Sequence, residues 1–153
     1  MSYHDFKQAL ELAVNRKYFI SGTGLTAEEM KKAEKILGLT FSPQLVEYYK
    51  KFNYISFYGC EIFGIDLDNL DIFEGNTLTY ALCERKEFGL PQEWLPIYNF
   101  EDGSLAFLDF GCLNNEKEPA VIRCLYNGER YQKIEDISED FGSFLLSLVL
   151  ENY

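Results

Sequence analysis

Two aspartates, Asp102 and Asp109, are the residues of this chain whose type and spacing could support general acid–base chemistry. Several kinds of hydrolase use two carboxyl groups, one as the acid and the other as the base or nucleophile. However, Asp102 precedes Gly103 between two apolar runs, and this pattern is typical of a tight hairpin turn. Asp109 follows the second run, where an aspartate more often caps a loop. A carboxylate-based hydrolase is therefore the weakest of the functions that we consider.

Nucleophilic catalysis has little support, because a serine or cysteine nucleophile needs a general base beside it. His4 is the only histidine, and it lies near the start of the sequence. The segment Gly22-Thr23-Gly24 lacks the further glycine and the lysine of a phosphate-binding loop. We therefore predict that the chain is not an enzyme.

Asp66 and Asp68, in the segment from Asp66 to Asp71, are spaced as the first two ligands of a calcium-binding loop are. Such loops need glycine at the sixth position and glutamate at the twelfth, where this chain has Asp71 and Thr77. A turn rich in local hydrogen bonds, or an acidic patch for a basic partner, explains these aspartates better. We predict no metal ion and no cofactor.

The four cysteines contain no Cys-x-x-Cys pair, so they do not show the clustering of zinc ligands. The pattern instead predicts buried, reduced thiols. These residues are Cys60, Cys83, Cys112 and Cys124.

The formal net charge of −11 is unevenly distributed. Residues 1–53 hold 8 Lys/Arg and 6 Asp/Glu, whereas residues 54–153 hold 6 and 19. A negative surface repels nucleic acids and anionic lipids and attracts basic proteins, although solubility alone could also explain it. No run approaches the roughly 20 apolar residues of a membrane span, and no signal peptide is evident. We predict a cytoplasmic protein that binds neither nucleic acid nor membrane.

Local patterns predict the elements that would position these residues. Apolar residues spaced three and four apart predict a helix from Phe6 to Val14, and capping patterns predict helices between Thr26 and Gly38 and from Ser42. A further helix is predicted over residues 77–86.

After Tyr54 the apolar residues alternate as in strands, with a short strand predicted over residues 61–65. Hairpins are predicted over residues 95–110 and around Asn127-Gly128, and Ser138 is the predicted cap of a last helix. Residues 1–153 are thus predicted to form a single α+β domain with N-terminal helices, a mostly antiparallel β-sheet and a closing C-terminal helix. The same patterns place five residues in the core, namely Phe41, Phe107, Ile122, Phe144 and Leu148.

The chain has 11 tyrosines, a residue type that is enriched at protein interfaces because it combines a large rigid area with a polar tip. A position at the rim of a crowded core is the alternative explanation. The tyrosines predicted to be half-exposed are Tyr48, Tyr54, Tyr58, Tyr98, Tyr126 and Tyr131.

Short motifs, taken in order along residues 25–149, resemble those of the SUKH superfamily of Smi/Knr-type proteins. The hairpin carries the central motif, in which Leu95-Pro96-Ile97 is followed by Asp102-Gly103 and Leu108-Asp109. The other segments that carry the resemblance are Ile36-Leu37-Gly38-Leu39, Phe41-Ser42-Pro43, Ile62-Phe63-Gly64-Ile65 and the closing segment from Ile137 to Leu148.

This resemblance implies an α+β fold without enzymatic activity. It also implies an immunity protein (antitoxin) that binds and neutralises a cognate polymorphic toxin, such as an LXG toxin with a ribonuclease or other nuclease domain. Because some members of the superfamily organise signalling or cell-wall synthesis, a cytosolic scaffold or regulator is the second hypothesis. The acidic part of the chain independently suits a basic nuclease as the partner.

The candidate partner-binding surface combines the acidic segment of residues 61–75 with the first hairpin turn and two tyrosines. A monomer and a weak dimer are both compatible with the sequence. The candidate residues are Asp66, Asp68, Asp71, Glu74, Tyr98, Glu101, Asp102 and Tyr126.

Overall fold

A computed structural model describes residues 2–71 and 75–151, which form five α-helices and one seven-stranded β-sheet. The helices are α1 (Ser2–Ala13), α2 (Ala27–Leu37), α3 (Pro43–Lys51), α4 (Thr77–Phe88) and α5 (Phe141–Glu151). The strands are β1 (Ile20–Ser21), β2 (Ile55–Phe57), β3 (Cys60–Ile62), β4 (Trp94–Asn99), β5 (Ser104–Leu113), β6 (Pro119–Tyr126) and β7 (Tyr131–Ser138).

The sheet is a meander in which the spatial order of the strands is their order along the chain. Every neighbouring pair is antiparallel, and β1 and β7 form the two edges. Together with the closing helix α5, this arrangement confirms the predicted α+β fold.

Strand β5 is buried on both faces of the sheet because side chains alternate across a strand. Ala106 and Leu108 belong to the larger core, together with residues of α1, α2, α3 and α5. Leu105 and Phe107 belong to a smaller core on the other face, where Tyr80 of α4 packs. The helices therefore cover both faces of the sheet at this strand.

The helix limits agree with the sequence patterns in α2, where Thr26 and Glu29 form the predicted capping box and Gly38 ends the helix with φ +70°. Two details were wrong. Val14 lies beyond the end of α1 and is exposed. The side-chain cap of α5 is Asp140 rather than Ser138, since Asp140 Oδ1 accepts a hydrogen bond from Ser143 N–H at 2.8 Å.

Two details of the strands also differ from the predictions. The strand predicted over residues 61–65 ends at Ile62, because Gly64 pairs with Asn76 in an isolated parallel bridge. Asp109 lies within β5 rather than at its end, beside an irregularity in the pairing with β6, and its carboxylate accepts Gly111 N–H at 2.9 Å. Asp109 thus supports a local distortion of the strand.

All five predicted core residues are buried, but the tyrosine and cysteine predictions were only partly correct. Tyr48 is fully buried, and its hydroxyl accepts Ile55 N–H and donates to Ile62 O, each at 3.1 Å. Among the cysteines, Cys60 and Cys124 are buried, Cys83 is half-buried and Cys112 is exposed.

Candidate functional site

Two adjoining cavities, of about 680 and 410 Å³, form a surface cleft between the loop before α2, the segment that follows β3 and the end of β4. The cavities share Glu61 and Gly75 as lining residues, so they lie next to each other. Neither Lys nor Arg is among the described residues that line them. We call the two cavities together the acidic cleft, after the carboxylates that line them, which are Glu29, Glu61, Asp66, Asp68 and Glu101.

Two glycines that line the larger cavity, Gly24 and Gly64, lie in close contact with backbone atoms near the end of α3. A Cβ atom on Gly24 would lie 1.8 Å from the Lys50 carbonyl oxygen, and one on Gly64 would lie 2.5 Å from the Asn53 carbonyl oxygen. Both distances are far below normal contact, so the chain needs glycine at these positions. The loop before α2 and the segment after β3 can therefore lie directly against the end of α3.

Two asparagine side chains hold the segment that follows β3. Asn53 donates to Ile65 O at 2.9 Å and accepts Ile65 N–H at 2.8 Å. Asn76 accepts Asp66 N–H at 3.1 Å and donates to Asp66 O at 3.1 Å. In each case a single side-chain amide forms the two hydrogen bonds, to a backbone N–H and a backbone C=O, that a neighbouring strand would form in a sheet. The position of the acidic segment is thus fixed at two consecutive residues.

Asp66 stabilises the turn that it begins, whereas Asp68 is exposed to solvent. Asp66 Oδ1 accepts Asp68 N–H at 3.0 Å, and Asp66 Oδ2 accepts a hydrogen bond from Asn69 Nδ2 at 2.8 Å. Asp68 is exposed, and none of the ion pairs among the described residues involves it. Asp71 is also exposed but does not line the cleft, and Glu74 lies outside the described residues.

Aromatic side chains line the smaller cavity together with Glu61 and Glu101. Tyr98 is half-buried, and burial beside the Cys60 thiol raises the pKa of its hydroxyl above the usual range. Glu101 is exposed on the adjacent turn, where its left-handed conformation (φ +63°) is supported by a hydrogen bond of 2.8 Å from its N–H to Asn99 Oδ1. The cavity also contains Phe63, Tyr80 and Phe100.

Asp102 is adjacent in sequence to Glu101 of the cleft, but its charge is paired with Arg123 of β6. Its Oδ1 accepts Ser104 N–H at 3.0 Å and the Ser104 hydroxyl at 2.5 Å, while Oδ2 is paired with Arg123. These interactions, led by the hydrogen bond from the Ser104 hydroxyl, lower the pKa of Asp102. The Arg123 guanidinium also lies over the ring of Phe100, 4.2 Å from its centre. Asp102 therefore belongs to an ion pair at the protein surface.

The two aspartates that could form an acid–base pair are too far apart for that role. Asp102 lies in the turn before β5, and Asp109 lies five residues beyond the start of that strand. Five residues of strand span about 17 Å, whereas catalytic carboxyl pairs are separated by about 5–9.5 Å.

Tyr126 lies beside the smaller core and does not line the cleft. Its ring packs against Phe88 of α4, with centres 4.9 Å apart, and against Tyr131 of β7 at 5.6 Å. The structure therefore places Asp66 and Asp68 in the larger cavity and Tyr98 and Glu101 in the adjoining smaller one, whereas Asp102 and Tyr126 line neither.

Sequence reasoning did not select Glu29, Glu61 or the aromatic residues of the cleft other than Tyr98. Glu29 was assigned to the capping box, where its Oε1 does accept Thr26 N–H at 2.9 Å. Glu61 belongs to the segment 61–75, which has five acidic residues and no basic one, so charge clustering was the signal that could have identified it.

The described residues contain no group of three or more His, Cys, Asp or Glu side chains that could hold a metal ion. Within the same residues, no helix is long and apolar enough to cross a membrane. The arrangement at the cleft suits binding of a positively charged surface, because carboxylates and aromatic rings both attract cations.

A protein-family model matches most of this chain. The family model SUKH_6, described as SMI1-KNR4 cell-wall, matches residues 27–145, which include α2 to β7 and the first part of α5. No curated protein matches the chain. Family membership suggests a protein partner. Since the matched region covers most of the 153 residues, the chain belongs to the SUKH_6 family of SMI1-KNR4 proteins.

Proposed function

We propose that this protein is an immunity protein that binds a cognate polymorphic toxin and neutralises it, and that the acidic cleft is the binding surface. The observation that carries the proposal is the cleft itself, where five carboxylates and several aromatic rings meet without a Lys or Arg among the described lining residues. Membership of the SUKH_6 family supports a role in protein binding.

A nuclease, such as a ribonuclease, is the toxin class that this charge distribution suits. Nuclease sites attract phosphates and therefore tend to carry lysine and arginine. An acidic inhibitor gains association rate from long-range attraction to such a site and can cover it once bound. The net charge of −11 supports the same pairing.

The partner-binding residues that we propose fall into three groups. Asp66, Asp68, Tyr98 and Glu101 line the cleft, and Asp66 acts mainly by shaping the turn. Exposed Asp71, and Glu74 beyond the described residues, extend the acidic segment. The third group is Asp102 and Tyr126, which would reach the toxin only if its footprint extends beyond the cleft.

The wider proposal is a cytoplasmic protein that acts through residues 1–153 as one binding unit. It has no catalytic activity and no cofactor, and it binds neither nucleic acid nor membrane directly. The toxin would be of the LXG type, in the manner that a resemblance to the YobK antitoxin implies.

The test is capture of the partner followed by an inhibition assay. We expect the tagged protein to retain a basic nuclease from the native host and to inhibit it when the two are mixed. The triple variant Glu61→Gln, Asp68→Asn and Glu101→Gln should lose most of this inhibition. Recovery of a nuclease that stays fully active would contradict the immunity role.

A matched control separates the cleft from overall charge. The variant Glu87→Gln, Glu129→Gln and Glu139→Gln also removes three negative charges, but from exposed positions outside the cleft. It should inhibit the toxin as well as the native protein does. Equal loss in both triple variants would show that net charge matters and that the cleft does not.

A cytosolic scaffold or regulator is the second candidate, and the family description, which refers to the cell wall, is the observation that favours it. Recovery of several unrelated proteins, none of them a nuclease, would support this function instead.

A further inference from the structure

The outer side of β1 is an edge of the sheet that no described strand covers. β1 is first in the spatial order and pairs, among the described strands, with β2. On that inner side Gly22 N–H donates to Tyr54 O at 2.8 Å. In an antiparallel ladder, residues whose backbone groups face the neighbouring strand alternate with residues whose groups face away. Because Gly22 faces β2, the N–H and carbonyl groups of Ser21 face the open edge.

The opposite edge of the sheet carries features that discourage pairing with another strand. β7 presents three exposed charged residues, Lys133, Glu135 and Asp136. Its pairing with β6 is also interrupted by two irregularities of register. Charged side chains and bulges are common means by which an edge strand avoids association with other chains. The edge at β7 is therefore protected.

The edge at β1 has none of these features. Residues 18–23 include neither a charged residue nor a proline, and β1 pairs with β2 without a shift of register. Tyr18 is 74% exposed and Ile20 is 61% exposed. Exposed residues with high strand propensity on an uncharged edge form a template on which another strand can pair. One edge of the sheet is thus closed to other chains, whereas the other is open.

Two tyrosines lie at the start of the open edge in a backbone conformation that is rare for bulky residues. Tyr18 has φ +61°, and Tyr58, in the turn between β2 and β3, has φ +50° and is half-exposed. Tyr58 N–H donates to Lys17 O at 3.2 Å, which holds the two segments together. Left-handed conformations of this kind cost free energy and are concentrated at functional sites. Exposed tyrosine rings beside open backbone groups can anchor the apolar side chains of a bound strand.

The other end of the open edge leads into the acidic cleft. Gly22 and Gly24 line the larger cavity. Ile20 pairs with Ser56, and Ser56 pairs with Glu61, so the edge and this carboxylate of the cleft share one face of the sheet. A chain that continued past the end of a bound strand would therefore enter the cleft. The carboxylates there suit lysine or arginine.

We propose that the outer side of β1 is a docking site for an extended segment of the toxin, which adds to the sheet as a further strand, and that lysine or arginine beside this segment enters the acidic cleft. The toxin as occupant rests on the proposed function, whereas strand addition rests on the open edge. Main-chain hydrogen bonds to the edge supply the affinity, and the side chains that meet Tyr18, Tyr58 and the cleft supply the specificity.

A second copy of this chain fits the open edge less well than a basic partner does. Each copy has a net charge of −11, so two copies repel each other. The native protein should therefore sediment as a monomer at micromolar concentration. A dimer that dissociates in the variant Ser21→Pro would overturn the toxin as the occupant.

The matched variants Ser21→Pro and Ser21→Ala test the docking site. Both remove the Ser21 hydroxyl, but proline also removes the N–H that faces outwards, while the hydrogen bond from Gly22 to Tyr54 can still form. Ser21→Pro should bind the captured toxin about tenfold more weakly than Ser21→Ala does. Thermal melting checks that both variants are folded. Equal affinities of the two folded variants for the toxin would overturn the proposal.

A peptide probe tests the edge without a toxin and without a variant. The probe is a synthetic peptide of alternating threonine and valine that ends in two lysines, and its control ends in two glutamates. At millimolar concentration the lysine peptide should slow hydrogen exchange of Ser21 N–H severalfold and more than the glutamate peptide does. Gly22 N–H, which already donates to Tyr54 O, should change little.

Unchanged exchange at Ser21 with the lysine peptide would refute strand addition, because main-chain hydrogen bonds at an open edge tolerate many sequences. The peptide result also separates the two proposals. If capture recovers no nuclease but the peptide protects Ser21, the immunity role fails while the edge remains a docking site for a strand.

Discussion

The side chain of Asn76 pairs with both backbone groups of Asp66, accepting its N–H and donating to its carbonyl oxygen, each at 3.1 Å. Asn76 is buried at the start of α4, and its Nδ2 also donates to Thr79 Oγ1 at 2.7 Å. The amide therefore anchors the acidic segment to a helix. Asn76 and Asn53, which pairs with Ile65, together hold the start of the segment that carries Asp66 and Asp68.

Asn76→Ala should destabilise the protein and loosen the cleft. The substitution leaves the N–H and carbonyl groups of Asp66 without these partners, which typically costs about 1–3 kcal/mol. Chemical denaturation measures the loss, and hydrogen exchange should show faster exchange at Asp66. The control Asn15→Ala removes an exposed asparagine with one hydrogen bond to Glu11 O and should change stability little. Unchanged exchange at Asp66 would show that other contacts hold the segment.

Leu148→Ala should be strongly destabilising, because Leu148 lies in the larger core on the buried side of α5. Removal of a buried leucine side chain typically costs about 2–5 kcal/mol, including the cavity that it leaves. Leu150, two residues further along the same helix, is 49% exposed, and Leu150→Ala should cost far less. A loss well under about 1 kcal/mol for Leu148→Ala would mean that α5 does not pack as described.

The helices and turns of this fold could be predicted where a short motif of adjacent residues determines them. The capping box at Thr26 and the Asn127-Gly128 turn are short motifs whose chemistry depends on adjacent residues. The cap at Asp140 was missed because Ser138 has an equally suitable side chain, and only the course of β7 shows which residue precedes the helix.

The acidic cleft was less predictable because contacts between distant segments create it. Gly24 meets Lys50, and Gly64 meets Asn53, through close backbone approaches that leave no periodic pattern in the sequence. The acidic composition of residues 61–75 was visible, but the depression in which those residues lie was not.

The purified protein should hydrolyse neither RNA, DNA nor simple esters. Asp102 is paired with Arg123, and Asp109 accepts the Gly111 N–H, so neither carboxylate is positioned beside the other. Standard hydrolysis assays provide the measurement, with Asp109→Asn as the control for any trace activity. Turnover that disappears in this variant while the protein stays folded would show that a catalytic site exists.

Association with a basic toxin should depend strongly on salt if the acidic cleft is the binding surface. Between about 0.05 and 0.5 M salt the Debye length falls from more than 10 Å to less than 5 Å, so long-range attraction is screened. The association rate should then fall severalfold, because steering acts mainly on that rate. Stopped-flow mixing with the captured toxin measures this dependence.

Charge reversal locates the surface that is responsible. Asp68→Lys combined with Glu101→Lys places two positive charges at exposed positions of the cleft without removing the turn contacts of Asp66. At low salt this double variant should associate with the toxin more slowly than the native protein does. Its thermal stability should stay close to that of the native protein. The surface around Tyr126 provides the contrast, because Tyr126 lies outside the cleft and packs against Phe88 and Tyr131. If the double reversal leaves binding intact while Tyr126→Ala abolishes it, the toxin binds the surface around Tyr126 and the cleft has another role.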